Sequence, residues 1–510
     1  MRFVNRTEYV KITPVKIINS AILLAFLFLS ACTPAPAPAP TPSPQVEAAP
    51  TLTLEAAPEP SPTPDISSLP APVYTISAAY DYARHSLAVI EQIAYTNRSG
   101  EAIPELLLMV DAAVWPGVFR LNSLSSAEGP RVTASTWERT TLRLPLERAL
   151  APGELIRLDL QYDMVLPARI AQADLRPMVF GWSERQANLV DWYPYLPPYQ
   201  SGQGWLVHPP GYYGEHQAYE ASDFTVNLQV LNAPPNMSVA ASAHERLDGD
   251  EPQAERRYQL DSARTFALSF SQAYQVSTRQ AGDVTITSYF YPEHAAAGER
   301  AAQTAAESLE LYGRLFGPYP RQTLAVVEAD FLDGMEYDGL FFLSNGFYNL
   351  YAGVPGDYLV ALTAHETAHQ WWYGLVGSDQ AMQPWLDEAL CTYSEKLFYE
   401  NLYPDALSWW WDVRVLYYQP RGFVDDSIYN PHGEAQAYRA YRDAVYLNGA
   451  VFLDELRALV GDEAFFAFLK EYAAQFGGRI ADTQGFFALL RSRTSADLAP
   501  LLQKFFASPP

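Results

Sequence analysis

The sequence predicts an α+β chain of more than one domain, an antiparallel β region followed by a mainly helical one. Three observations carry this expectation. The length of 510 residues corresponds to two to four domains at roughly 150 residues each. Hydrophobic residues make up 49% and aromatic residues 14%, so most of the chain can bury a core. The apolar period is two up to about residue 291 and becomes helical after Pro292.

Residues 1–31 read as an export leader. Arg2, Arg6, Lys11 and Lys16 precede a mainly apolar run from Ile17 to Leu29, and Leu29-Ser30-Ala31-Cys32 follows directly. A basic start, a short apolar stretch and small residues at a cut site are the marks of a secretory signal. The run is too short for a comfortable membrane span. The tetrad resembles the bacterial lipobox, where cleavage precedes a cysteine that then carries lipid. That resemblance implies a lipidated Cys32, a membrane partner through the lipid anchor, and a place in the bacterial cell envelope facing away from the cytoplasm. Residues 32–72 follow, with 13 of the chain's 40 prolines between positions 33 and 72. Such a segment makes a semi-rigid spacer reaching up to roughly 120 Å when extended at ~3.1 Å per residue.

Residues 73–291 are expected to form the β domain. Ile156, Leu158, Leu160, Tyr162 and Met164 alternate with Arg157, Asp159, Gln161 and Asp163. Phe224, Val226, Leu228 and Val230 repeat the pattern, as do Phe266, Leu268 and Phe270, and then Val284 and Ile286. Alternation of this kind marks half-buried antiparallel strands in a sandwich or saddle. Residues 292–510 are expected to be mainly helical, with helices over 293–312, 358–376, 388–400, 406–418 and 446–460 and a strand at 324–328. Trp409, Trp410 and Trp411, with Tyr417 and Tyr418 nearby, read as core packing or cleft lining.

Composition excludes several classes. The formal charge of −24 argues against nucleic acid as a partner, because phosphate binding needs a surplus of lysine and arginine. Two cysteines make neither a disulfide framework nor a Cys-ligated zinc module. With Cys32 in lipid, Cys391 is the remaining thiol, and it reads as a small buried residue.

The chemistry concentrates in His365-Glu366-Thr367-Ala368-His369. Residues four apart share a helix face, so both imidazoles can reach one zinc ion. Glu366 stands beside the first ligand, where a carboxylate can take a proton from a water that the metal acidifies. A third ligand is needed, and Glu388 offers one nineteen residues after His369, at the start of the next helical stretch after Pro384. His208, His216 and His432 have no paired ligand spacing.

The segment HETAHQWWYGLVGSDQAMQPWLDEA at 365–389 resembles the zinc core of the aminopeptidase N family, gluzincins that also include leukotriene hydrolase. That family carries HExxH, eighteen intervening residues and a glutamate in a Trp-Leu-Asn-Glu context; Asp387 stands here for the asparagine. Its exopeptidase motif, Gly-Ala-Met-Glu-Asn, is similar to Asp333-Gly334-Met335-Glu336-Tyr337, where Met335 and Glu336 match while the alanine and the asparagine are changed. Tyr446-Leu447-Asn448-Gly449-Ala450 resembles the stretch holding the family's catalytic tyrosine, with Asn448 in place of a lysine. Phe316-Gly-Pro-Tyr-Pro320 and Gly214-Glu215 belong to the same likeness. It implies a thermolysin-like catalytic domain behind a β saddle, without the helical C-terminal domain of larger members, since the chain stops soon after Phe505 and Phe506. It further implies one Zn2+ per chain on His365, His369 and Glu388, with Glu366 as general base and Tyr446 as oxyanion donor. Gly334, Met335 and Glu336 would hold the free N-terminus of a peptide substrate. Two rival expectations remain: a zinc endopeptidase or other small-substrate hydrolase on the same scaffold, and a non-catalytic zinc-stabilised binding lipoprotein. The oligomeric state is left open.

Overall fold

The computed structural model describes residues 69–169, 179–211, 213–246, 255–429 and 437–510. The leader, Cys32, most of the proline-rich segment and His432 lie outside them. The alternating run forms the strand Leu155–Val165, with Ile156, Leu158, Leu160, Tyr162 and Met164 buried. It is part of a seven-stranded sheet in the order Glu245–Arg246, Arg256–Ala263, Ser222–Leu231, Val73–Asp81, Ser86–Thr96, Leu155–Val165, Phe119–Glu128. Neighbours are antiparallel apart from Val73–Asp81, which runs parallel to Ser222–Leu231 with Val73 opposite Asp223. A four-stranded sheet of Ser238–Ala241, Leu268–Ser271, Ala187–Leu189 and Gly181–Trp182 shares its apolar core.

The expected boundary after residue 291 is not where the sheets divide. Gln275–Ala281 and Val284–Phe290 belong to a five-stranded sheet completed by Thr323–Ala329, Leu340–Ser344 and Gly334–Tyr337. Ile286 pairs in parallel with Leu324 across that sheet. Alternation sorts its two faces. Ile286, Leu324, Val326, Phe341 and Leu343 join the core under the helices. Ala325, Val327, Ala329, Leu340 and Phe342 join the core of the β region. The described residues accordingly fall in one compact unit.

The junction is locked by Arg264, a buried guanidinium from the β region. It donates to the carbonyls of Tyr219 at 2.8 Å, Tyr373 at 2.5 Å, Leu375 at 3.2 Å and Arg479 at 2.8 Å. Asp338 balances the charge nearby and accepts the Arg264 amide at 2.6 Å. A buried charge is tolerated when it is paired and its protons are all taken.

Helical expectations need three corrections. The helix starting at Tyr358 ends at Ala368, not at 376. Beyond it Tyr373, at φ 138°, and Gly374 turn the chain back, the Gly374 amide donating to the His369 carbonyl at 2.9 Å. The stretch 406–418 is broken into short turns, including a π-helical turn Trp410–Val415. Tyr446 lies in another π-helical turn, Asp443–Leu447, just before the helix Asn448–Val460. Such turns recur at functional sites. Trp410 is fully buried in the core, as expected, whereas Tyr417 is exposed.

Candidate metal centre

The helix Tyr358–Ala368 begins where Asp357 accepts the Leu359 amide at 2.9 Å, satisfying one of the donors left open at a helix start. Every residue from Leu359 to Ala368 is buried, so the helix is enclosed on all sides and has no solvent stripe. Its hydroxyls are absorbed locally: Thr363 donates to the Leu359 carbonyl and Thr367 to that of Thr363. What the helix carries inward is His365, Glu366 and, at its C-terminal cap, His369.

Opposite lies the helix Trp385–Leu402, with Asp387 and Glu388 in its first turn, where the unpaired amides favour negative charge. Glu388 Oε2 is 3.2 Å from His365 Nε2 and 3.6 Å from His369 Nε2. The far nitrogens are held from behind. His365 Nδ1 lies 2.9 Å from Glu395 Oε1. His369 Nδ1 lies 3.0 Å from the Trp372 carbonyl and 2.6 Å from Asp387 Oδ1. Backing of this kind fixes the ring and the tautomer, leaving Nε2 for a metal.

One nitrogen from each imidazole and a Glu388 oxygen lie within 4.8 Å of one another. Two other sets around His369 meet the same limit, one with Asp387 and Cys391 and one with Glu336 and Glu366. The first set is favoured because it alone uses two imidazoles, both turned to one carboxylate. Its field also suits a cation. Burial works against a charged His365, yet Glu388 and Glu395 outweigh it and push its pKa up to about 9. Burial likewise works against a charged Glu388, but the two histidines bring it down to about 2. The carboxylates thus favour positive charge between the two imidazoles, and a metal bound there would displace protons from the ring nitrogens.

Glu366 is buried beside this set, and its Oε2 makes no hydrogen bond among the described residues. Burial, with Glu388 and Asp333 nearby, pushes its pKa up to about 8. The backbone of Gly334 comes close to it. A Cβ at that position would sit 1.9 Å from Glu366 Oε1, so backbone packs directly on the carboxylate.

Tyr446 donates to Glu388 Oε1 at 2.5 Å, and its ring stacks over His365 at 6.1 Å. Gly449 lets this segment approach, since a Cβ there would fall 2.5 Å from Ala389 Cβ. Glu336 lies on the edge strand Gly334–Tyr337. It is buried, accepts from Gln380 at 3.2 Å, and burial carries its pKa well above the usual carboxylate range. Met335 and Glu336 open onto a cavity of about 340 Å³ that the β region also lines.

The replacements seen in the sequence have structural partners. Asp387 accepts from Gln380 at 2.8 Å besides flanking His369. Tyr337 is buried and donates to Asp191 at 3.4 Å. Asn448 donates to the Gly422 carbonyl at the surface. Cys391 is buried as expected, its thiol 3.8 Å from the Trp372 carbonyl. His208 pairs with Asp379 at 2.9 Å, and His216 faces Asp111 at 3.5 Å.

Sequence reasoning missed Glu395. It is fully buried and accepts from His365, from Trp410 Nε1 at 2.9 Å, and from Arg414 at 3.0 and 2.8 Å. Burial alone would raise its pKa, but Arg414 and His365 keep it low. A glutamate seven residues after Glu388, two turns along one helix face, was the available signal. Glu395→Gln should weaken zinc binding by about 10–100-fold without abolishing it. Competition with a chelator reads that change; zinc affinity equal to wild type would show that Glu395 does not orient His365.

The model of the peptidase family M1 domain matches residues 300–505. Aminopeptidase M1-B of Oryza sativa subsp. japonica is 28% identical over 219 residues, 40% of this chain and 25% of that protein. Leucyl aminopeptidase of Saccharolobus solfataricus is 28% identical over 156 residues, 29% of this chain and 20% of that one. This chain thus spans a quarter or less of the length of these curated relatives. Among solved structures, the M1 zinc metallopeptidase of Deinococcus radiodurans superposes with a TM-score of 0.58 at 20% identity, over 87% of this chain and 95% of that one. A mutant of that protein bound to a Tyr-Ser-Ala substrate gives 0.59 at 20% identity, over 86% and 96%. At this identity the likeness is one of fold, and it extends through the β region as well as the helical part.

Proposed function

Residues 300–505 are a peptidase family M1 domain, and on that premise we propose that the chain is a zinc-dependent aminopeptidase, removing N-terminal residues from peptides. The observation that carries this reading is the carboxylate of Glu336, buried at one end of the site and within 4.8 Å of Glu366 and His369. His365, His369 and Glu388 would hold the zinc ion, which when bound would supply Lewis acidity to the site. The protein does the rest. Glu366 accepts the proton of the attacking water and returns it to the leaving amine. Tyr446, whose hydroxyl now rests on Glu388, is the donor placed for the developing oxyanion. Glu336 pairs with the substrate's α-ammonium and so fixes which bond is cut.

Blocking the amine would leave Glu336 desolvated and unpaired, at a cost of about 2–5 kcal/mol, or roughly thirty- to several-thousand-fold in binding. Free peptides should therefore be cleaved that much better than N-acetylated ones, and not at all after chelation. Glu336→Gln should narrow the gap while zinc stays bound. Equal cleavage of free and acetylated peptides would establish the endopeptidase reading instead. No cleavage by zinc-loaded protein would leave a non-catalytic binder.

We further propose that Cys32 tethers the protein to the outer face of a bacterial membrane. The Leu29–Cys32 tetrad and the proline-rich spacer support this. One acyl chain anchors only marginally, so several are expected on that residue. Metabolic labelling with a fatty acid should mark the wild type and not Cys32→Ser; an unlabelled wild type would refute the tether.

A further inference from the structure

We propose that the cavity beyond Glu336 receives the side chain of the substrate's first residue and selects lysine or arginine there. The proposal rests on the aminopeptidase reading, because that reading fixes one end of the substrate. With the scissile carbonyl at the metal set and the α-ammonium at Glu336, the first side chain must leave from beside Glu336. The space available at that point is the cavity of about 340 Å³, which Glu336 and Met335 line and none of the three metal ligands does.

The walls match the two parts of a long basic side chain. Trp115 and Phe180 stack at 5.4 Å, and with Val114, Val179 and Val190 they offer apolar surface to a methylene stem or a guanidinium plane. The acidic groups dominate its charge. Among the described residues Asp111, Asp191, Glu215 and Glu336 line the cavity, and no lysine or arginine does. Glu336 is taken by the α-ammonium, and the side chain beyond it meets the negative field of Asp111, Asp191 and Glu215.

Asp111 is the group most in need of a ligand. It is 92% buried and sits on the cavity wall. Its Oδ2 accepts weakly from Tyr195 at 3.4 Å and Gln217 at 3.5 Å, while Oδ1 accepts no hydrogen bond among the described residues. His216, 94% buried, faces it at 3.5 Å, and neither ring nitrogen makes a hydrogen bond among the described residues. Asp191 behaves differently: the hydroxyls of Tyr219 at 2.6 Å and Tyr337 at 3.4 Å hold it in place as a fixed negative charge. A neutral side chain filling this cavity would leave the carboxylates that line it without a counter-charge. A cationic one satisfies the carboxylate. An acidic one is repelled.

The test uses the zinc-loaded full chain and the para-nitroanilides of arginine, lysine, norleucine and glutamate. Arginine and lysine should exceed norleucine at least tenfold in kcat/KM, with glutamate hardly cleaved. Asp111→Asn should lower the arginine-to-norleucine ratio tenfold or more. Norleucine matching or exceeding arginine in the wild type would overturn the proposal, whether or not the variant folds. An unchanged ratio in Asp111→Asn of normal melting temperature would overturn it too. Calorimetry with L-arginine amide and L-norleucine amide on zinc-loaded Glu366→Gln reads the cavity without turnover, and arginine should bind tighter. If no anilide is cleaved, the aminopeptidase reading fails, and equal calorimetric affinities would then dispose of the cavity assignment separately.

Discussion

Glu366→Gln is expected to lower kcat by about 10²–10⁴-fold, the span usual for a lost general base, while zinc remains at one ion per chain. The amide has the shape of the carboxylate but cannot take the proton of the attacking water. Little else should change. Among the described residues Glu366 makes no hydrogen bond through Oε2, and the backbone of Gly334 lies close to its other oxygen, so glutamine can occupy the same slot. The experiment also decides between overlapping metal sets. If zinc sat on Glu336, Glu366 and His369, which also approach within 4.8 Å, the variant would lose it. Metal analysis alongside single-turnover kinetics settles the assignment; loss of both metal and activity would move the centre.

Glu388→Ala should lose zinc more severely than Glu395→Gln, whose expected loss is about 10–100-fold. Two protein ligands would remain where a catalytic zinc site uses three. The substitution also removes the acceptor that holds Tyr446 at 2.5 Å and the carboxylate that both Nε2 atoms face. Activity should therefore not return at zinc concentrations that saturate the wild type. Titration with zinc, read by a chelator and by hydrolysis of a free peptide, checks this. Near-normal affinity in Glu388→Ala would exclude it as the third ligand.

Much of the centre was legible because its chemistry is local. Two imidazoles four residues apart must share a helix face, and a carboxylate opening the next helix is free to meet them. The strand Leu155–Val165 was equally legible, since a sheet with one face in the core imposes alternation. Alternation tells faces apart but not partners. Val284 and Ile286 read the same whether their strand pairs with the β region or, as it does, with Thr323–Ala329. The end of the zinc helix at Ala368 was hidden because no proline marks it; the turn is made by Tyr373 and Gly374 under tertiary constraint. Glu395 was hidden in plain sight. Among many glutamates, only burial distinguishes the one that stands behind His365.

The Arg264 clamp makes hydrolysis and architecture inseparable. Its guanidinium comes from the β region, yet two of the four carbonyls it holds, Tyr373 and Leu375, belong to the turn that leaves His369. The ring of His369 is seated by that same turn through the Trp372 carbonyl. The seven-stranded half is thus part of the scaffold that aims the His369 imidazole, not a passive prow in front of a self-sufficient helical part. Cut away, it would expose the apolar face of the five-stranded sheet and strip partners from buried carbonyls beside the metal set. What looks like a peptidase carrying an accessory domain is a single machine whose working end is braced from outside itself.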